Sequence, residues 1–444
     1  MGNMIQTKTG CLEGKPMQGY TAFLGIPYAE APVGENRWKA PVPKKSWEGV
    51  RKADTFPNIS PQRVPTGNEP WGAMYYKEFY AYPEFQREQS EDCLYLNIWA
   101  PDHTQGEKLP VAFWIHGGGF SGGYSSEIEF DGEDYVKRGV ILVTVEYRLG
   151  ILGFLAHPWL DAENERSISG NYGILDQIEA LRWVTENIEA FGGDPENITV
   201  FGQSAGSMST QVLVSSELTG TMISKAILQS GTSCEEDIVY EPTLAEEEEI
   251  GKLFVELSGV SSLEELRALS WERILDVHDQ LNAKTFPMGK GLVVVPNADG
   301  YVLKKPVSEI WKAGEMKPIP YIAGCVNDDL GSSPEEIQQK RPGKLHAECV
   351  RWSQKAEEAF GKPGYVYNFK HDLPGDACGA FHSAELWYTF GTWKRWWRPG
   401  TEADEKLSEE MLAYWITFMK TGKPDADQSW LPCTKGNPYS RTFE

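Results

Sequence analysis

No segment of this chain approaches the roughly 18 to 20 consecutive apolar residues that a membrane-spanning helix requires. Its start, Met1-Gly-Asn-Met-Ile-Gln-Thr-Lys8, lacks the apolar core of an export signal, and Gln6 stands where an N-myristoylation signal wants Ser or Thr. Positive charge is scarce. The 42 Lys and Arg stand against 64 Asp and Glu, for a net charge of -22 and a pI near 4.9. Such a surface repels a phosphate backbone or an anionic bilayer, so neither nucleic acid nor membrane is an expected partner. The acidic run Glu246 to Glu249 reads as a solvated helix face. Only 7 histidines are present, without metal-type spacing, and no phosphate-binding loop follows a strand, so no metal or other cofactor is expected. The cysteines, at 11, 93, 234, 325, 349, 378 and 433, are odd in number and include no Cys-x-x-Cys pair. That pattern predicts free thiols in a reducing compartment, hence a cytoplasmic location.

The chain does carry a pentapeptide with chemistry in it. Gly202-Gln203-Ser204-Ala205-Gly206 follows the β-rich run Asn197 to Phe201 and opens a small-residue, helix-compatible stretch to Ser216. Ser204 thereby falls at a sharp strand-to-helix turn, the nucleophile elbow, which exposes a hydroxyl that is otherwise a poor nucleophile. With 44 glycines in the chain the pentapeptide could arise by chance and needs a companion. Upstream, a buried-strand pattern from Leu109 ends in His116-Gly117-Gly118-Gly119. Glycines there leave backbone N–H groups free to face an oxyanion, so Gly118 and Gly119, with Ala205 after the serine, are the expected oxyanion donors and His116 shapes their loop from behind.

Strand character recurs at 109–115, 139–147, 197–201, 224–229, 319–325 and 364–369, with amphipathic helices between several of these runs. One helix is marked by Ile174, Ile178, Leu181, Val184 and Ile188; another by Leu407, Met411, Trp415 and Phe418 before Gly422 and Pro424. This alternation predicts an α/β fold with a mostly parallel sheet covered on both faces. Without an internal repeat, low-complexity tract or clean linker, residues 1–444 read as a single catalytic domain with inserted loops.

At these residues the chain resembles the type-B carboxylesterase family, which includes bacterial p-nitrobenzyl esterases and cholinesterases. Phe23 to Pro32 with Arg37-Trp38, Glu91 to Asn97, Glu146 to Gly150, Gly170 to Asp176 and Phe191 to Pro195 look like that family's landmarks in the family's order. The resemblance extends from about residue 10 to about residue 425. It implies an α/β-hydrolase fold with inserted cover segments and a Ser, acid, His triad in that chain order. His382, in Gly379-Ala-Phe-His-Ser-Ala-Glu-Leu-Trp-Tyr-Thr-Phe-Gly391, looks like the family's histidine. The acid departs from the pattern. Where the family carries Gly, four residues, then Glu-Gly, this chain has Gly324-Cys-Val-Asn-Asp-Asp-Leu330. An ungapped count selects Asp329, whose shorter stem requires its loop to sit closer by roughly 1 to 1.5 Å; Asp328 is the runner-up, and an acid elsewhere stays open.

The resemblance also pairs Arg37 with Glu91 and Arg148 with Asp176. It places Ser60 where secreted relatives carry the disulfide partner of Cys93. Gln203 stands where cholinesterases carry an acidic residue, which argues against choline esters. Two segments bear on substrate. Aromatic residues crowd 71–85, and of these Trp71, Tyr75 and Tyr76 are candidate pocket-wall residues, although packing of an inserted helix accounts for the spacing slightly better. The stretch from Leu330 to Tyr365 is short compared with most relatives and implies a more open mouth. The expected function is hydrolysis of small-molecule or polymeric carboxylic esters, broad for small to bulky or aromatic ones, by Ser204, His382 and Asp329. The alternative is a non-catalytic hydrolase-fold adhesion protein. Neither oligomeric state nor natural ester follows from the sequence.

Overall fold

A computed structural model describes all residues except 1–2, 69–71, 103–105, 236–239, 289–291 and 426–428. Its central sheet is built from β1 (Met4–Gln6), β2 (Cys11–Pro16), β3 (Tyr20–Pro27), β4 (Val50–Ala53), β5 (Tyr95–Pro101), β6 (Leu109–Ile115), β7 (Ile141–Val145), β8 (Gly193–Gln203), β9 (Lys225–Gln229), β10 (Tyr321–Val326), β11 (Tyr365–Phe369) and β12 (Arg441–Phe443). The spatial order is β1-β2-β3-β5-β7-β6-β8-β9-β10-β11-β12, with β4 paired to β2. Neighbours from β1 to β7 along this path run antiparallel, whereas every pairing from β7 onward is parallel.

The parallel part forms where the sequence offers short apolar runs buried on both faces, such as Val111 to Ile115 and Ile141 to Val145. Alternation assigns Phe113 and Ile115 to one face and Ala112 and Trp114 to the other. Five helices frame the sheet and its carboxyl end: α1 (Gly72–Tyr75), continued by the π-helical turn Tyr76–Tyr80; α2 (Tyr172–Asn187); α3 (Ala205–Ser215); α4 (Lys344–Phe360); and α5 (Glu402–Thr421). The first core includes Ile174, Leu181 and Val184 of α2, and the second includes Met411, Trp415 and Phe418 of α5. This is the doubly covered, mostly parallel sheet of an α/β-hydrolase. The short helical segment Pro334–Gln338 buries none of its residues, while α4 lies on β10 and β11 and belongs to the sheet's own covering layer.

Two ion pairs tie the loops at the sheet's end. Arg148 donates to Asp176 from Nε and Nη2, both at 2.7 Å, with the two side chains buried. Arg37 donates from Nε to Glu91 at 2.7 Å and from Nη1 to the carbonyls of Arg267 and Leu269. All seven cysteines are free, and Ser60 and Cys93, both buried, line the same small cavity.

A second group of carboxyls is buried and makes no ion pair among the described residues. Glu127 and Glu129, in the segment that follows the glycine loop, lie together with Glu146, with Tyr80 Oη donating to Glu127 at 2.7 Å and the Ser125 N–H to Glu146 at 2.6 Å. Burial pushes the carboxyl of Glu146 up to about 8 and raises those of Glu127 and Glu129 as well. Burial acts the opposite way on three histidines, holding His116, His278 and His346 down to about 4. Carboxyls protonated only when folded lose stability as pH rises from 4.5 through 8; histidines neutral only when folded lose it as pH falls from 6.5 toward 4. The thermal midpoint should therefore peak near pH ~6 and fall by several degrees toward pH ~9. Glu146→Gln should flatten the alkaline fall in a pH series of melting curves; an unchanged slope would show that Glu146 is charged in the fold.

Candidate active site

The strand β8 ends one residue before Ser204, which caps α3 with φ 56° and ψ -125°. That backbone region is costly for a residue with a Cβ and persists only where the surroundings enforce it. Enforcement comes from both sides: the Ser204 N–H donates to the Gln229 carbonyl of β9 at 2.8 Å, and the Ser204 carbonyl accepts from the Met208 N–H at 3.0 Å. Helix α3 begins so close to β6 that a Cβ on Gly206 would lie 2.0 Å from the Ile115 carbonyl oxygen. Ser204 itself is left half-buried at the carboxyl end of the sheet.

Beside it, the loop after β6 turns through Gly118 at φ 107° and Gly119 at φ 61°, with Gly118 O accepting from the N–H groups of Ser121 and Gly122. The Gly118 and Gly119 N–H groups meet no acceptor among the described residues, and Ala205 opens α3 with the free donors of a helix start. His116 supports the loop from beneath. Its ring stacks on Tyr147 at 4.5 Å, its Nδ1–H donates to Gly117 O at 2.9 Å, and burial keeps it neutral.

His382 lies in the loop between β11 and the short helix at Leu386, and its Nδ1 is 2.5 Å from Asp329 Oδ1. Of the two adjacent aspartates, Asp329 reaches the imidazole. Its short side chain is held by the N–H groups of Val326 at 3.1 Å and Leu330 at 2.8 Å. Asp328 instead takes the Asn327 amide at 2.8 Å and lies against Gly379, while its own N–H donates to Ala380 O at 3.0 Å. With Nδ1–H given to Asp329, Nε2 is the acceptor, and it receives the side-chain amide of Gln203 at 3.2 Å. Burial disfavours the imidazolium, but the charge and hydrogen bond of Asp329, with a smaller contribution from Glu385, outweigh it and leave His382 above its ordinary value. Glu385 is fully buried three residues on; burial, then the charge of Asp329, push its carboxyl up to about 7.

The carboxylesterase family matches over residues 2–348 and 344–442. The chain belongs to the carboxylesterase family. It is 33% identical to the para-nitrobenzyl esterase of Bacillus subtilis, over 96% of this chain and 91% of the relative, and 32% identical to the fumonisin B1 esterase of Sphingopyxis macrogoltabida, over 94% and 82%. Among solved structures it superposes on a PNB esterase with a TM-score of 0.83 at 29% identity, covering 100% of this chain and 96% of the other. For a Geobacillus stearothermophilus carboxylesterase the TM-score is 0.79 at 30% identity, covering 99% and 96%.

The aromatic segment of this carboxylesterase is divided in its contacts. Tyr75 Oη donates to the His382 carbonyl at 2.9 Å, the Tyr76 ring lies against Gly67, Phe79 is in the core, and Trp71 lies outside the described residues. Sequence reasoning did not anticipate the contact of Gln203 with the imidazole or the buried Glu385 beside it. Both lie inside motifs already singled out, the serine pentapeptide and the histidine stretch, and a carboxylate three residues past the histidine was the available signal. Titrating His382 by NMR should give a pKa above 6.5. Glu385→Gln should lower it, because a negative charge facing the imidazolium is removed, and Gln203→Glu should raise it by adding one; shifts of opposite sign would refute this electrostatic picture.

Proposed function

We propose that this carboxylesterase is a cytoplasmic enzyme whose nucleophile is Ser204, with His382 as general base and acid and Asp329 as the group that orients and balances the imidazolium. The observation that carries the reading is the 2.5 Å contact of Asp329 with His382 Nδ1, beside a serine held at φ 56° at the turn from β8 into α3. Ser204 Oγ attacks the ester carbonyl as His382 Nε2 takes its proton. The N–H groups of Gly118, Gly119 and Ala205 hold the oxyanion, and His382 then protonates the departing alcohol. Water, deprotonated by the same nitrogen, releases the acid from the acyl-enzyme. For Nε2 to accept the serine proton, the Gln203 amide must give up its hydrogen bond, so substrate binding and a small shift of Gln203 go together.

Residues 1–444 act in this reading as one catalytic domain. The substrates are neutral carboxylic esters. Phe120, which follows the glycine loop, shares a small cleft with Met208, Val212, Tyr240, Val295 and Leu303, and with the polar Gln211, Ser233 and Glu241. The para-nitrobenzyl ester named for one relative has an aromatic alcohol part, in keeping with bulky or aromatic esters. Gln203 offers no charge to a choline headgroup. The adhesion-protein alternative is not favoured, since the serine, histidine and acid are all present.

Labelling with a fluorophosphonate probe tests the nucleophile directly. Ser204→Ala should abolish labelling and lower esterase turnover on the order of 10^4-fold with the fold intact. His382→Ala should do much the same, with the double mutant no worse. A serine mutant that keeps a tenth of wild-type turnover would sink the assignment. In a second series, Asp329→Asn should lower kcat on the order of 10^2-fold or more, by leaving the imidazole in the wrong tautomer, while Asp328→Asn stays within a few-fold; the reverse order would move the acid to Asp328.

A further inference from the structure

The aromatic stretch 71–85 supplied candidate wall residues on its composition, yet Tyr75 and Glu78 within it make their polar contacts with the protein around the loop that carries His382. Three observations converge. Tyr75 Oη donates to the His382 main-chain carbonyl at 2.9 Å, bridging 307 residues of sequence. Burial, aided by the negative charge of Asp329, raises the phenol's pKa, so the hydroxyl stays a donor across the working pH range. One turn on, Glu78 is almost wholly buried and accepts from Trp387 Nε1 at 2.9 Å, Trp397 Nε1 at 3.0 Å and Arg398 Nη2 at 2.9 Å. Arg398, its side chain also buried, donates onward to the Pro374 carbonyl at 2.9 Å and to Asp376 at 2.8 Å. The chain on both sides of His382, at 374–376 and at 387, is thus fastened to one carboxylate on the aromatic segment. Phe79 completes the attachment, stacking on Trp387 at 5.6 Å and meeting the Phe381 ring edge-on at 6.4 Å.

We propose that this segment is a clamp for the general base: Tyr75, Glu78 and Arg398 are positioning residues that hold the His382 loop so that Nε2 meets Ser204. A π-helical turn suits such a role. Widening the helix over Tyr76–Tyr80 departs from the ordinary spacing of residues 75, 78 and 79, of which Tyr75 and Phe79 reach the His382 loop directly and Glu78 reaches it through Arg398. A histidine between a strand and a short helix has no rigid element of its own, and loss of its alignment by even 1 Å costs rate steeply. The proposal rests on His382 being the base. It goes beyond that reading in assigning the base's alignment to Tyr75 and Glu78, far upstream in the chain, together with Arg398, and in taking Tyr75 out of the substrate wall.

The test is a double-mutant cycle on purified enzyme with p-nitrophenyl acetate and p-nitrophenyl benzoate. Tyr75→Phe removes only the hydroxyl. It should lower kcat on the order of 10-fold by the same factor for both esters, with KM changed by less than about twofold, and should slow fluorophosphonate labelling in parallel. In a His382→Ala background the same substitution should have no further effect, because its whole action passes through the imidazole. The clamp is overturned if Tyr75→Phe leaves kcat unchanged, if its loss appears for benzoate and not acetate as a substrate wall demands, or if the losses in the cycle are additive. Should Tyr75→Phe melt below the assay temperature, Glu78→Gln, which keeps the shape and one acceptor oxygen but removes the charge facing Arg398, is judged by the same three criteria. A His382→Ala enzyme that remained active would overturn the base assignment instead, so the two failures are told apart.

Discussion

At the carboxyl end of the sheet, a helix has to start almost in contact with the strand beside the one it leaves. The Ile115 carbonyl on β6 and the first turn of α3 approach so closely that Gly206 has no space for a side chain. The serine between strand and helix takes up the turn with its own backbone, at φ 56°. Such a conformation costs on the order of 1–3 kcal/mol. Packing of α3 on β8 and β9, and the hydrogen bond from Ser204 N–H to Gln229 O, offset that cost. The glycine loop at 117–119 inherits its position from the same contact, since it continues directly from β6.

Around that turn the electrostatics are decided by competition between burial and paired charge. Burial alone would strip the proton from the His382 imidazolium, and the facing carboxylate of Asp329 reverses that tendency. Asp329 spends its oxygens on the imidazole and on two backbone N–H donors. Glu385 has long side-chain contacts, 3.5 Å to Gln229 and 3.4 Å to Tyr367 among the described residues, and burial prevails there. The result is one carboxylate committed to the histidine and a second whose charge comes and goes near neutral pH. Gln203, on the other ring nitrogen, adds a hydrogen bond without a charge.

The parts legible in sequence were those in which a motif coincides with a change of secondary structure. All six expected strands are present, because continuous β-branched runs buried on both faces have no other stable home. The serine elbow and the glycine loop were readable for the same reason: each needs a residue type at one place along one element. The strands β1 to β5, on the antiparallel side, and β12 escaped notice, since several are short or half-exposed and their periodicity is weak. Asp329 and Asp328 were separable only by counting. What distinguishes them in the fold is which way each side chain leaves a tight loop, and that depends on backbone donors at 326 and 330. Tyr75 was noticed for its ring, whereas its contact is made by its hydroxyl with a main-chain carbonyl, and a carbonyl leaves no trace in residue identity.

The buried trio Glu127, Glu129 and Glu146, together with Glu385, has a consequence for the protein's charge. A formal count of -22 treats every carboxyl as ionised. Near neutral pH the unfolded chain conforms to that count, whereas the folded one retains protons on carboxyls that burial has raised. Folding at pH 7 therefore draws protons from the buffer. The native molecule migrates in an electric field as a smaller anion than its sequence implies, and the heat of its unfolding carries the ionisation enthalpy of whichever buffer receives those protons.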